Sequence, residues 1–498
     1  MVSRHEIIEY FKDLCNSYGK KLLRTEYRDL NPVYSSSLIE SMWGNWTNFI
    51  EEIGNVDKIT RHNITKVFSK DLNKIVITSV NDGAYINLDF YNTLISYCAE
   101  NEAELGILWG KSIKKNRTFN NDIFELLNPY LATKFEFKRD SSCIAQDFLI
   151  PTNQKNPLLN LDKLSTNLKT IIVGSTKQYL QILPYKQYTN YRIACSTGTL
   201  SELEYKETVT NQMDAKYHTF GAILLEWNEK CKRYIIRNLV YKNNCLCDLN
   251  FKYSKDKIEK IDTLPAMVLG DLHLPDEGKD ILDKTIDFIN KYKPKYTILH
   301  DIASWNSVCH HNFGKYLTLA TNLDSTNTSL ENELNIVIDK INNFASKAHT
   351  EFKIVNSNHD NFIEKWLETG EFVKDKHNAV IGAKLFIDYV SGNNIFANKL
   401  PKNVEFLQKN KSFKVCGYEL SEHGDCGISG ASGSPNAYNK TFENCIVGHT
   451  HSPRLIENTV YVGTLSKLIV NYNQKGMTNW ANCNAIIHEN NTTQLIFL

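Results

Sequence analysis

In the second half of the chain, short apolar runs alternate with segments whose apolar positions recur at helical spacing. Residues 266–269, 296–299, 352–355, 415–420 and 445–447 read as strands. Between them, residues 280–292 place Ile281, Leu282, Ile286 and Ile289 on one helical face, with Pro294 just beyond. Residues 330–345 and 362–367 read as further helices. Such alternation predicts a layered α/β sandwich over residues 263–498.

The pattern is different upstream. Over residues 1–55 it is helical throughout. Ser3 and Glu6 can form a capping box, Ile7, Phe11, Leu14 and Cys15 follow at helical spacing, and Gly19 stops the run. A second helix is expected near Thr25, ended by Pro32, and a third through Leu38, Ile39 and Met42 after three serines. Residues 56–262 are expected to form an α/β middle domain. Strands at 74–78 and 104–109 flank a helix at 90–99, and later strands are expected at 170–173, 191–194, 220–227 and 234–240. The turn Cys195-Ser196-Thr197-Gly198-Thr199 is rich in donors and is a candidate phosphate cradle, or simply a turn.

Composition adds limits more than identity. A chain of 498 residues exceeds one compact core, and 42% apolar residues are enough to fold it throughout. Fifty-seven basic against 56 acidic side chains give a net charge of +1, so any affinity for nucleic acid has to be local. The twelve cysteines include no C-x-x-C pair, which argues against a zinc ribbon or a disulfide framework and points to the reducing cytoplasm. No apolar run approaches the ~20 residues of a membrane span, so no membrane partner is expected.

The chemistry gathers where the predicted strands end. Asp271 and His273 follow the first, Asp301 the second, Asn358 the third, His423 the fourth, and His449 and His451 the fifth. Side chains two apart on extended backbone share a face, so Asp271 with His273, and His449 with His451, can each reach one centre. Carboxylate, amide and imidazole donors in this mixture suit Mn²⁺, Zn²⁺ or Fe better than Mg²⁺ or Ca²⁺. Two such ions can clamp a phosphate and activate the attacking water. His359 is then the candidate proton donor, with Asp360 expected to hold its other ring nitrogen.

These stretches, Asp271-Leu272-His273, His300-Asp301, Ser357-Asn358-His359-Asp360, His423 and Gly448-His449-Thr450-His451, resemble the motifs of the calcineurin-like metallophosphoesterase superfamily in order. The resemblance implies two divalent metal ions, most naturally Mn²⁺. Asp271, His273, Asp301 and His451 would hold one, and Asp301, Asn358, His423 and His449 the other, with His359 as acid or transition-state stabiliser. His300 and Ser357 depart from the usual glycines, and Ser304 stands near the place of a second aspartate. The segment after the second motif borders substrate in that superfamily, so His310 and His311 are candidate substrate contacts. Residues 424–433, rich in Gly and Ser, are expected to form a mobile loop.

Residues 1–55 resemble the homing-endonuclease-associated repeat through Tyr18-Gly19, Thr25-Glu26-Tyr27, the serine run and Gly44-Asn45-Trp46. Lys20, Lys21, Arg24 and Arg28 would supply its DNA contacts, although residues 1–54 hold six basic against eight acidic side chains. Features of the middle segment, Ile77-Thr78, Ser196-Thr197-Gly198 and residues 218–222, resemble phage-encoded metallophosphoesterases such as the DNases of T5-like phages. The resemblances together imply a metal-dependent DNase acting in the host cytoplasm, with DNA as partner and a homo-oligomer left open. A phosphatase of phosphoproteins or small phosphate esters is one rival. A non-catalytic DNA-binding or assembly protein is the other.

Overall fold

The structure is a computed structural model that describes all residues except 1, 19–21, 54–60, 112–118, 120, 165–168, 187–189, 203–207, 256, 310–328, 397–398, 471–472 and 474–475. It is a mixed α/β protein with several sheets. No helix among the described residues is long and apolar enough to cross a membrane. All twelve cysteines are free thiols. The chain divides into two compact units, one of Met1–Pro157, Ile172–Lys177 and Thr197–Arg233, the other of Leu158–Ile171, Gln178–Ser196 and Tyr234–Leu498.

The first unit opens with four helices: α1 (Arg4–Ser17), α2 (Arg24–Asp29), α3 (Ser36–Trp43) and α4 (Trp46–Glu52). Each has a local cause. The Ser3 backbone N–H donates to Glu6 Oε2 at 2.7 Å and the Glu6 N–H to Ser3 Oγ at 3.2 Å, which is the reciprocal capping box. Ser35 caps α3 by accepting from the Leu38 N–H, and Gly44 ends it at φ +84°. The helices enclose Ile7, Phe11, Leu22, Tyr27, Ile39, Trp43 and Phe49. Phe11 lies 5.1 to 5.6 Å from the rings of Phe49, Tyr27 and Trp46, in tilted and edge-on contacts.

Beyond these helices, β1 (Lys74–Asn81), α5 (Leu88–Glu100) and β2 (Ala103–Gly110) form a β-α-β unit whose strands pair in parallel. β3 (Gly221–Asn228) pairs antiparallel with β1 on the other side. Thr197, Gly198 and Thr199 of the candidate phosphate cradle belong to this first unit, and both threonine hydroxyls are committed. Thr197 and Thr199 are buried, with Thr197 Oγ1 donating to the Gly198 carbonyl at 2.6 Å and Thr199 Oγ1 to the Ser79 carbonyl at 3.1 Å. Hydroxyls spent on buried carbonyls are not offered to a ligand.

The second unit holds the candidate chemistry. Strands β4 (Ala266–Val268), β5 (Tyr296–Leu299), β6 (Glu351–Ile354) and β7 (Val404–Phe406) run parallel in that spatial order. They are connected through α6 (Ile281–Tyr292), α7 (Leu330–Lys347), α8 (Asp360–Glu368) and α9 (Ala379–Val390). Buried side chains from α6, α7 and α8 join those of the strands in one apolar core. A second group of strands contains β8 (Tyr418–Glu419), β9 (Cys445–Val447), β10 (Arg454–Ile456) and β11 (Thr459–Tyr461). Here β8, β9 and β11 are parallel, and β10 pairs antiparallel with β11. A carboxy-terminal hairpin, β12 (Cys483–Ile487) and β13 (Thr493–Phe497), extends the first sheet by pairing antiparallel to β4.

One expected strand is divided. Residues 415–420 do not run straight, because Cys416 at φ +45° and Gly417 at φ +76° turn the chain between Val415 and Tyr418. Two consecutive positive φ values are what a tight hairpin needs. The loop expected to be mobile is knitted to itself. The Gly427 N–H donates to the Ala431 carbonyl at 2.6 Å, the Gly433 N–H to the Asp425 carbonyl at 2.8 Å, and Tyr438 Oη to the Cys426 carbonyl at 2.5 Å.

Candidate metal centre

The carboxyl ends of β4, β5 and β6, and the segments after β8 and β9, deliver their polar side chains to one place. Main-chain contacts fix where each arrives. The Leu272, His273 and Leu274 N–H groups donate to the carbonyls of His300, Asp301 and Ile302 at 2.7 to 3.1 Å, locking the first two segments side by side. Gly270 precedes Asp271 because a Cβ there would stand 2.8 Å from the Gly463 carbonyl carbon. The Leu465 N–H and the Thr464 hydroxyl both donate to the Asp271 carbonyl. The Gly448 N–H donates to the His423 carbonyl at 2.7 Å, joining the fourth and fifth segments.

Two groups of ligand atoms result. Asp271, His273, Asp301 and His451 form one, and Asp301, His423 and His449 the other, each with its atoms within 4.8 Å of one another. Asn358 Oδ1 lies 3.0 Å from both His423 Nε2 and His449 Nδ1, so the amide belongs to the second group. Asp301 Oδ2 is 3.2 Å from His423 Nε2 and 3.7 Å from His273 Nε2, between the two. His273 Nε2 and His451 Nε2 stand 2.8 Å apart, and the latter is 3.1 Å from Asp271 Oδ2. His273, Asp301, His449 and His451 all hold positive φ, from 40° to 70°. Non-glycine residues pay ~1–3 kcal/mol each for such backbone, and it clusters where geometry serves function.

The donor set fits a cation. Oδ1 of Asp271 and Oδ1 of Asp301 are buried and accept no hydrogen bond. Buried carboxylates without donors are costly and call for an opposite charge. Burial pushes the Asp271 carboxyl up, but the His451 and His423 imidazoles outweigh it and hold it below the usual range. The same balance, dominated by burial against His423 and His359, leaves Asp301 well below it. Burial lowers His423 too, yet the charge of Asp301 carries it up to about 9, while His273, where burial prevails, falls to about 3. We expect Mn²⁺ to raise the thermal midpoint and EDTA to reverse the rise, by about 2.7 kcal/mol at 100 times the dissociation constant. Scanning fluorimetry checks this; no shift with Mn²⁺, Zn²⁺, Fe²⁺ or Mg²⁺ would exclude a metal centre.

His359 stands beside the first group, its ring centroid 4.6 Å from that of His273. Its expected partner is corrected. Asp360 does not hold the ring, because its carboxylate accepts from the Ser357 N–H and Oγ at 3.1 Å and from Trp305 Nε1 at 3.4 Å. With the Asp360 N–H donating to Ser357 Oγ at 3.4 Å, the two residues exchange hydrogen bonds across the turn that leads into α8. That accounts for serine at position 357. His359 Nδ1 instead faces the Ser304 carbonyl at 3.3 Å.

One neighbour, Trp480, and one contact, that of His300, have no counterpart in the sequence expectations. Trp480 packs edge-on to His451 at 4.2 Å between centroids. His300 is fully buried against His423, with the two Nδ1 atoms 3.4 Å apart. Its only sequence signal is a histidine where the resembled motif has glycine. His310, His311, Lys20 and Lys21 lie outside the described residues. Arg24 and Arg28 are exposed, but Arg24 Nε is 2.7 Å from Glu40 Oε1 and Arg28 Nε 3.7 Å from Asp29 Oδ1.

A mixed α/β protein with a buried Asp/His cluster able to hold metal is thus defined by fold and site. The chain is 24% identical over 458 residues to Protein A1 of Escherichia phage T5, which covers 85% of this chain and 81% of that protein. No family model matches the chain, and no solved structure matches it.

Proposed function

We propose that the chain is a metal-dependent nuclease of the calcineurin-like metallophosphoesterase superfamily, hydrolysing DNA phosphodiester bonds in the host cytoplasm. Residues 263–498 would carry the chemistry, with residues 56–262 as an α/β middle domain and 1–55 as an appended helical module. The observation that carries the reading is Asp301, buried and shared by two groups of metal donors of which His449 and Asn358 are half-buried. Similarity over most of the chain to a phage protein supports the setting, and the repeat-like helices of residues 1–55 favour DNA.

In this reading Asp271, His273, Asp301 and His451 hold one cation, and Asp301, Asn358, His423 and His449 the other. Two bound divalent ions would neutralise the scissile phosphate and make water nucleophilic near neutral pH. The chain's own residues do the rest. The Ser304 carbonyl accepts the Nδ1–H of His359 and turns Nε2 toward substrate. From Nε2 a proton passes to the leaving oxygen, which departs as an alcohol. The carbonyl can accept that N–H whether the ring is neutral or cationic, so it orients His359 throughout.

We expect His359→Ala to slow plasmid cleavage by ~10²–10⁴-fold while leaving Mn²⁺ uptake intact. The assay compares plasmid DNA with p-nitrophenyl phosphate, in Mn²⁺ or in EDTA. Hydrolysis of the small ester alone would replace the nuclease with a phosphatase. Hydrolysis of neither would leave a non-catalytic DNA-binding or assembly protein.

A further inference from the structure

His300 departs from the resembled motif, yet it is fully buried beside the second donor group. Its ring lies against Gly448, where an added Cβ would stand 3.2 Å from both Cβ and Cγ of His300. The polar contact described for the ring is Nδ1 to His423 Nδ1, at 3.4 Å, and its Nε2 has no hydrogen-bond partner. His423 is itself committed at the far nitrogen, with Nε2 at 3.2 Å from Asp301 Oδ2 and 3.0 Å from Asn358 Oδ1. A neutral imidazole that gives its Nε2 lone pair to a cation keeps its proton on Nδ1. That N–H is buried and needs an acceptor, a need that metal-bound histidines usually meet with a carboxylate or a carbonyl. Here it points at an imidazole nitrogen.

We infer that His300 is a positioning residue that accepts the Nδ1–H of His423 and so fixes the ring whose Nε2 faces the second cation. The inference rests on the two-cation reading above. It assigns His300 the Nε2–H form, with its Nδ1 lone pair toward His423; the buried N–H left without a partner is then that of His300 Nε2 and not that of the metal-facing ring. It also gives Gly448 a reason to be glycine, since a side chain there would press on the Cβ and Cγ of His300.

The test is Mn²⁺ titration by calorimetry, with electron paramagnetic resonance of the bound ions, on the wild-type chain, His300→Leu and His300→Asn. Asparagine places Oδ1 where the imidazole has Nδ1 and keeps an acceptor; leucine fills the space and offers none. His300→Leu should bind one of two ions ~10–100-fold more weakly, and the coupled-pair signal should give way to that of an isolated ion. His300→Asn should keep both ions close to wild-type affinity. Equal weakening in the two variants, with or without loss of fold, would mean that His300 only fills space. Undiminished two-ion binding by His300→Leu would equally overturn the assignment. A wild-type chain that takes up no Mn²⁺ removes the two-cation reading itself, a result distinct from either.

Discussion

Asp301→Ala is expected to abolish DNA hydrolysis and most metal uptake together. Asp301 is the one side chain in both donor groups, 99% buried, with Oδ2 between His423 and His273. Removing any other ligand leaves one group whole, whereas removing this one takes an anionic donor from both. Polarisation of phosphate by metal is worth several kcal/mol, and each ~1.4 kcal/mol is a factor of ten, so a fall of roughly 10³-fold or more in cleavage is expected. Plasmid cleavage and Mn²⁺ stoichiometry, read with circular dichroism, check it. Asp301→Asn separates charge from volume, since it keeps the shape and a neutral oxygen but should still lose most uptake. Cleavage near wild-type level in either variant would mean that the chemistry lies elsewhere.

Gly448→Ala is expected to do nearly as much damage with a single methyl group. The added Cβ would stand 2.2 Å from Asp271 Oδ1 and 3.2 Å from the Cβ and Cγ of His300. No carbon fits that close to a carboxylate oxygen, so either Asp271 leaves the first donor group or the loop after β9 withdraws His449 and His451. Both routes weaken metal binding. Overpacking a tight interior costs ~1–3 kcal/mol besides. A lowered thermal midpoint in EDTA and a lowered Mn²⁺ affinity are the two readouts. An unchanged affinity would show that Asp271 is not a ligand.

Much of the second unit was legible because its strands are short apolar runs that each end on a chemically distinctive residue. Residues 266–269, 296–299 and 352–355 lie within one residue of β4, β5 and β6 at either end. Helical spacing placed α6 and α8 for the same reason. The turn at Cys416 and Gly417 was hidden because a cysteine at positive φ has no sequence signature, whereas Asn-Gly would have announced it. The carboxy-terminal hairpin drew no expectation, although Cys483–Ile487 pairs directly with β4. Partners of polar side chains were the least legible. His300 meets His423 across 123 positions of sequence, and Asp360 turned back to Ser357 when the motif alone suggested His359. Spacing reports which residues share a strand end, but it does not report which lone pair faces which proton.

The positive φ values at His273, Asp301, His449 and His451 have a consequence for which ion the centre would choose. Donors carried on a strained main chain and buried among one another have little room to spread apart. A large, loosely coordinated ion such as Ca²⁺ wants six to eight oxygens at 2.3–2.6 Å and a shell that can flex around it. A rigid shell of two imidazoles with either a second carboxylate or an amide, drawn in around one shared carboxylate, would resist that expansion. Size exclusion would then be written into the backbone, and calcium would be rejected by stiffness as much as by ligand type.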